Sequence, residues 1–146
     1  MLTQKYSYKK KKMAKKNIEV VAAIIKYEGE ILCVQRGDHK LKYIAKKYEF
    51  PGGKVEAGES REQAIIREIK EELDMDISVN DLLITVDHEY PDFCITMHCF
   101  YCECKSKDLT LNEHTEFKWL LQSELESLDW AAADIPVVNK LRNSGK

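Results

Sequence analysis

Within GGKVEAGESREQAIIREIKEEL, residues 52–73, three glutamates sit where a helix least accommodates them. The segment reads as a helix starting just after Ser60, because Ser60 followed by Gln63 is a capping-box pattern. At 100° per residue, Glu68, Glu71 and Glu72 share an arc of about 100°. Ile65, Ile66, Ile69 and Leu73 fill a neighbouring arc of about 100°, the expected buried stripe. Glu68 and Glu72 are a like-charged i,i+4 pair costing about 0.2 to 0.5 kcal/mol, and all three acids crowd the negative end of the helix dipole. The bland reading is a solvated acidic face balanced by Arg67, which reaches Glu71 at i+4. A bound cation accounts for more. Oxygen-only ligands without a nearby His or Cys suit a hard ion, Mg2+ or Mn2+, and Gly52 and Gly53 let the backbone approach a ligand closely. Mg2+ commonly joins carboxylates to substrate phosphates, so the pattern implies a phosphate-bearing ligand.

The rest of the chain must hold that helix in place. At 146 residues it has the length of one domain with a single core. Ile18 to Ile25 and Ile31 to Gln35 read as strands joined by a hairpin with Gly29 in its turn. A polar loop leads to Tyr48, Glu49 and Phe50, then to the break at Pro51, Gly52 and Gly53. After the helix come strands in LLITVDHEY, CITMHCFYCEC and TEFKWL, a short helical QSELESL, and a closing helix in ADIPVVNKLRN with Ile135, Val138 and Leu141, or Val137 and Leu141, inward. Strands on both sides of a helix indicate an α/β layered domain with a mixed sheet.

Composition narrows the class. The chain is 44% hydrophobic and 33% charged, as in soluble globular proteins, and no apolar run approaches the roughly 18 residues of a membrane span. No membrane partner is expected. The first residues lack a secretory signal, so a cytoplasmic location is expected, and the five cysteines read as reduced thiols. Residues 1–16 form a basic tail with seven lysines and no acid; the remainder, 17–146, holds 16 basic and 25 acidic residues, a net −9. The tail lacks the aromatic and arginine pattern of a nucleic-acid binder and reads as a solvated terminus, with Met13 as an alternative start.

The stretch GKVEAGESREQAIIREIKEELDM, residues 53–75, resembles the signature of the Nudix hydrolase family: Gly, five residues, Glu, seven residues, then Arg-Glu-apolar-x-Glu-Glu. Gly53, Glu59, Arg67, Glu68, Ile69, Glu71 and Glu72 fall on it. Where the family has Gly, this chain has Asp74, which tolerates a left-handed cap better than most residues. The resemblance implies a Nudix-type α/β/α sandwich and makes Glu71 and Glu72 metal ligands. It makes Glu68 a ligand or the base that activates water, and Arg67 the residue that orients the carboxylates. It also implies that Glu59 assists at a second metal or holds the loop, and that the carbonyl of Gly52 or Gly53 completes the first metal's shell.

The similarity extends over roughly residues 18–141, to the MutT-like nucleoside triphosphate pyrophosphohydrolases. By that resemblance Glu113 reaches the metals, Arg36 and Phe50 line the nucleotide pocket, and Asp134 contacts the base as an ionised acceptor. The ADIP form of that last segment is closer to the branch acting on CTP and modified pyrimidine nucleotides. Phe93 stands where some relatives have Arg. The implied reaction is Mg2+-dependent conversion of a nucleoside or deoxynucleoside triphosphate to monophosphate and pyrophosphate, in nucleotide-pool sanitation (8-oxo-dGTP) or in CTP and modified-pyrimidine turnover. The rivals are hydrolysis of another nucleoside diphosphate derivative such as ADP-ribose, and a non-catalytic nucleotide-binding module. Without the resemblance, Asp134 also reads as the cap of the last helix, just before Pro136. Cys99 and Cys102 point to opposite faces of a strand, which argues against zinc. His98 and His114 read as structural or surface residues.

Overall fold

The computed structural model describes residues 15–144. Most of the lysine-rich tail therefore lies outside the described residues, and Lys16 already begins the first strand. The strands are β1 (Lys16–Tyr27), β2 (Glu30–Gln35), β3 (Tyr48–Glu49), β4 (Gly52–Lys54), β5 (Ile77–Glu89), β6 (Phe93–Cys104) and β7 (Glu116–Leu120). The helices are α1 (Arg61–Leu73) and α2 (Ile135–Asn143), with 3-10 turns over Gln122–Ser127 and Ala132–Asp134.

The β1–β2 hairpin closes through Glu28 and Gly29, both at positive φ, the backbone signature of a two-residue type I′ turn. β1 organises the sheet. It pairs in parallel with β6, Ile18 opposite Ile95 and Ala22 opposite Cys99. On its other side it carries β2 near Lys26 and β4 near Val21. The path β3-β2-β1-β6-β5 is completed by β4 on β1 and β7 on β2, seven strands of mixed direction. Period-two alternation sends Val21, Ala23 and Ile25 to the side of α1, with Ile65, Ile69 and Leu73. Ala22 and Ile24 face the side of α2, with Val137, Val138 and Leu141. Helices on both faces make the α/β/α sandwich the resemblance implied. Cys99 and Cys102 fall into these two opposite core layers, as the strand period required.

Two details of the inward faces differ from expectation. Ile66 is 47% exposed and Ile135 46% exposed. Ala64, Ile65, Ile69, Glu72 and Leu73 are the buried residues of α1, so its buried arc is centred near Glu72 and leaves Ile66 at the solvent rim. In α2 the inward set is Val137, Val138 and Leu141.

Both ends of α1 form as their residues dictate. Ser60 Oγ accepts the Gln63 N–H at 3.1 Å while Gln63 Oε1 accepts the Ser60 N–H at 2.9 Å. Asp74 takes the left-handed conformation at φ 52°, ψ 40°, and its N–H bonds the Lys70 carbonyl. Left-handed backbone costs a side chain with a Cβ about 1 to 2 kcal/mol, least for Asp and Asn. Asp74→Val should therefore destabilise the fold by about 1 to 2 kcal/mol, whereas Asp74→Gly should be neutral or slightly stabilising, checked by reversible thermal denaturation.

Candidate active site

The acidic residues of α1 are sorted by one guanidinium. Arg67 Nε and Nη2 clasp the two oxygens of Glu59 at 2.6 and 2.9 Å, and Nη2 also donates to the Lys54 carbonyl. Nη1 donates to Glu68 Oε1 at 2.9 Å and to Glu71 Oε2 at 3.3 Å. Arg67 thus hydrogen-bonds three of the glutamates around it. The clasp, reinforced by the Glu56 N–H, holds the Glu59 carboxyl down to about 2. Of the two roles the resemblance left open for Glu59, this arrangement performs the loop-holding one.

Glu72 is excluded from the clasp. It is 6% exposed, and its Oε1 is buried without a hydrogen-bond partner. Burial, followed by the fields of Glu68, Glu113 and Glu49, pushes its carboxyl up to about 9. The side chain of Glu71 is 59% exposed. The three acids therefore share an arc without sharing an environment: one solvated, one clasped and one buried. Glu68 lies against Gly53, where an added Cβ would overlap its carboxylate.

Two cavities meet beside these groups. The smaller, about 180 Å³, is polar and is lined by Glu72, Glu113, Arg36, Glu49 and His114 among others. The larger, about 550 Å³, runs past Gly52 and Gly53 to Phe50, Tyr90, Phe93, Met97 and Asp134, within the size range of small-molecule sites. Arg36, His39 and Glu49 line both. The structure thus gathers Gly53, Glu72, Glu113, Arg36, Phe50 and Asp134 along two adjoining cavities, with Glu68 beside Gly53, while Glu59, Arg67 and Glu71 lie outside both linings.

Phe50 is 3% exposed, stacks on Trp130 with ring centroids 4.6 Å apart, and donates its N–H to Asp134 Oδ1 at 3.1 Å. Asp134 makes no side-chain cap hydrogen bond to α2, so the cap reading fails. Asp134 is 4% exposed, and burial first, then Glu49, raises its carboxyl well above the usual range, which favours the neutral acid over the ionised acceptor expected for it. The neutral acid both accepts and donates. Glu49 was missed in the sequence. It accepts Arg36 Nε and His114 Nε2, each at 2.9 Å. Its one signal there was strand alternation, which sets Glu49 on the face opposite Tyr48 and Phe50.

Residues 20–140 match the NUDIX domain family, and the chain belongs to that family of hydrolases. The CTP pyrophosphohydrolase of Escherichia coli K12 is 37% identical over 123 residues, 84% of this chain and 90% of that protein. The 8-oxo-dGTP diphosphatase of the same organism is 32% identical over 128 residues, 87% of this chain and 98% of that one. Among solved structures, a MutT protein from Methanosarcina mazei Go1 superposes with TM-score 0.81 at 26% identity, covering 91% of this chain and 98% of that one. A MutT protein from methicillin-resistant Staphylococcus aureus 252 gives 0.69 at 43% identity, covering 90% and 99%.

Nudix hydrolases generally need a divalent metal, and two observations fit one here: the unpartnered buried oxygen of Glu72 and the missing Cβ at Gly53 beside Glu68. Among the described residues no three acidic, Cys or His groups stand at ligand geometry; Arg67 holds Glu68 and Glu71 instead.

The two glycines separate packing from chemistry. A Cβ at Gly52 would strike the Val21 carbonyl, which is backbone, whereas one at Gly53 would strike only the end of the Glu68 side chain. Gly53→Ala should fold with near-native melting yet lose at least about 100-fold in turnover, because Glu68 is displaced. Gly52→Ala should lower the melting temperature. Comparing melting with turnover for the pair checks both.

Proposed function

We propose that this Nudix hydrolase converts a nucleoside or deoxynucleoside triphosphate and water into the monophosphate and pyrophosphate, with Mg2+ or Mn2+ as its ion. The observation that carries the reading is the buried, unpartnered Glu72 oxygen in the small polar cavity, which adjoins the larger one through Arg36, His39 and Glu49. It is a ligand position at the place where a nucleotide in the larger cavity would present its phosphates. The names of the two Escherichia coli relatives support a nucleotide triphosphate substrate, and the reaction suits nucleotide-pool sanitation or CTP turnover in the cytoplasm. No helix among the described residues is long and apolar enough to cross a membrane.

Glu72, Glu71 and Glu68, with the Gly53 carbonyl and Glu113, would hold the ions, which supply charge neutralisation for the phosphate oxygens and polarise water. Glu68 takes the proton of the attacking water as the bond between the α and β phosphoryl groups breaks. Arg67 keeps the Glu68 carboxylate aimed at the cavity while Glu59 fixes Arg67 from behind. Arg36, lining both cavities, balances phosphate charge. Phe50, Tyr90 and Phe93 supply the apolar walls that exclude water around the base. Asp134, as a neutral acid with Oδ1 on the Phe50 N–H, offers the base a hydroxyl donor and an acceptor.

A panel of CTP, UTP, GTP, 8-oxo-dGTP, the deoxynucleotides and ADP-ribose, run with Mg2+ and scored separately for pyrophosphate and orthophosphate, tests the reaction. Pyrophosphate from a triphosphate is expected; preferential cleavage of ADP-ribose, or no cleavage of any member, contradicts it. For Asp134, Asn resembles the neutral acid in carrying both a donor and an acceptor, with one donor more. Asp134→Asn should keep the base ranking, whereas Asp134→Ala should flatten it and lose about 1 to 3 kcal/mol through the orphaned Phe50 N–H. Asp134→Asn also has a pH signature. The folded carboxyl titrates above its unfolded value of 3.8, so the unfolded state ionises first and wild-type stability falls as pH rises past that value. Asp134→Asn should therefore be more stable than wild type at neutral pH, the difference vanishing below about pH 3.8, as pH-dependent thermal denaturation would register.

A further inference from the structure

We propose that His114, together with Asn112, is a positioning residue that tethers the exposed loop around Glu113 so that the Glu113 carboxylate faces Glu72 across the small cavity. The inference deepens the metal-site reading and rests on it.

Asn112 and Glu113 are exposed, so packing does not hold this segment. The negative charge of Glu49 in the same cavity pushes Glu113 outward. Directed hydrogen bonds oppose that push. The Asn112 N–H donates to the Glu72 carbonyl at 3.0 Å and its side-chain Nδ2 to the Glu71 carbonyl at 2.9 Å. These are carbonyls the end of α1 leaves without intrahelical partners, and they belong to two residues read as ligands. One tether therefore ties the loop to the very turn that carries Glu71 and Glu72. On the other side of Glu113, the His114 ring is 5% exposed and donates Nε2–H to Glu49 Oε2 at 2.9 Å, while Arg36 fixes the second oxygen of Glu49.

The other ring nitrogen identifies what places the ring. His114 Nδ1 is buried with no partner, whereas a ring turned to solvent would satisfy both nitrogens. A buried polar atom left unpaired needs a compensating cause, and the Glu49 bond is the specific contact that supplies it. With Nδ1 unpartnered, the ring proton belongs on Nε2. Glu113 thus lies between an anchor on α1 and an anchor on β3, with only one residue's freedom between them.

The test is Mn2+ binding to the full chain without nucleotide, read from the electron paramagnetic resonance signal of free Mn2+, for wild type, His114→Ala, His114→Gln, Glu113→Gln and the double variant His114→Ala with Glu113→Gln. Melting of the metal-free proteins reports any general loss of structure. Residues that orient metal ligands typically change affinity by about 10- to 100-fold. His114→Ala should weaken Mn2+ binding by about 10-fold, and His114→Gln, whose amide can still donate to Glu49, should recover part of it. In the Glu113→Gln background His114→Ala should cause no further loss, because a residue that acts through Glu113 has nothing left to position. If Glu113→Gln itself leaves Mn2+ affinity unchanged, the reading of Glu113 as a ligand fails. If Glu113→Gln weakens binding but His114→Ala does not, or if the two losses add, the positioning proposal is overturned. Should His114→Ala not fold, Asn112→Ala removes the other tether and is taken through the same cycle with the same outcomes.

Discussion

Arg67 stands within ion-pair distance of four carboxylates, those of Glu56, Glu59, Glu68 and Glu71, and the arrangement of the site follows from what that single cation reaches. Its planar fork suits bidentate carboxylate binding, and Glu59 takes that place. Glu68 and Glu71 share the remaining nitrogen. Glu72, on the sheet side of the helix, receives nothing. The same crowding that makes α1 an unfavourable helix on its own thus leaves one buried oxygen with no protein partner, beside a glycine that has cleared the space for Glu68. A divalent ion bound here would resolve both conflicts, compensating the buried carboxyl and offsetting the dipole's penalty at this end of the helix.

The sheet delivers the remaining groups to that point. Because β4 pairs with β1 through Val21 and Ala22, Gly52 can carry no side chain, and Gly53 is brought against α1. β3 turns Glu49 toward the polar cavity and is followed by Phe50 at the wall of the larger one. Asp134, far along the chain, returns to accept the Phe50 N–H. The nucleotide cavity and the acidic cavity are therefore two ends of one construction, joined through Arg36 and Glu49. Such a layout lets a single ligand present a base to one end and phosphates to the other.

Local rules in the sequence revealed the local structure. The capping box at Ser60 and Gln63, the hairpin turn at Gly29, the left-handed Asp74 and the Arg67–Glu71 pair each depend on residues close together in the chain or on a contiguous motif. Depth was not legible. A helical wheel assigns angles, so Glu68, Glu71 and Glu72 looked equivalent and Ile66 looked buried, whereas the sheet above α1 determines which angle is dry. Asn112, and the pair of His114 with Glu49, escaped because their partners lie 41 and 65 residues away in sequence. The protonated state of Asp134 escaped for the same reason: burial under Phe50 decides it, and an isolated Asp reads as ionised.

The buried, unpartnered oxygen of Glu72 is the position where a metal ion is proposed to bind. A crystal of the protein soaked in Mn2+ and measured at a wavelength where manganese scatters anomalously tests it most directly. An anomalous peak is expected within coordination distance of Glu72 Oε1, with the Glu68 carboxylate, still paired with Arg67 through Oε1, turned toward the same ion. Manganese bound elsewhere while Glu72 keeps its buried, unliganded position would contradict it.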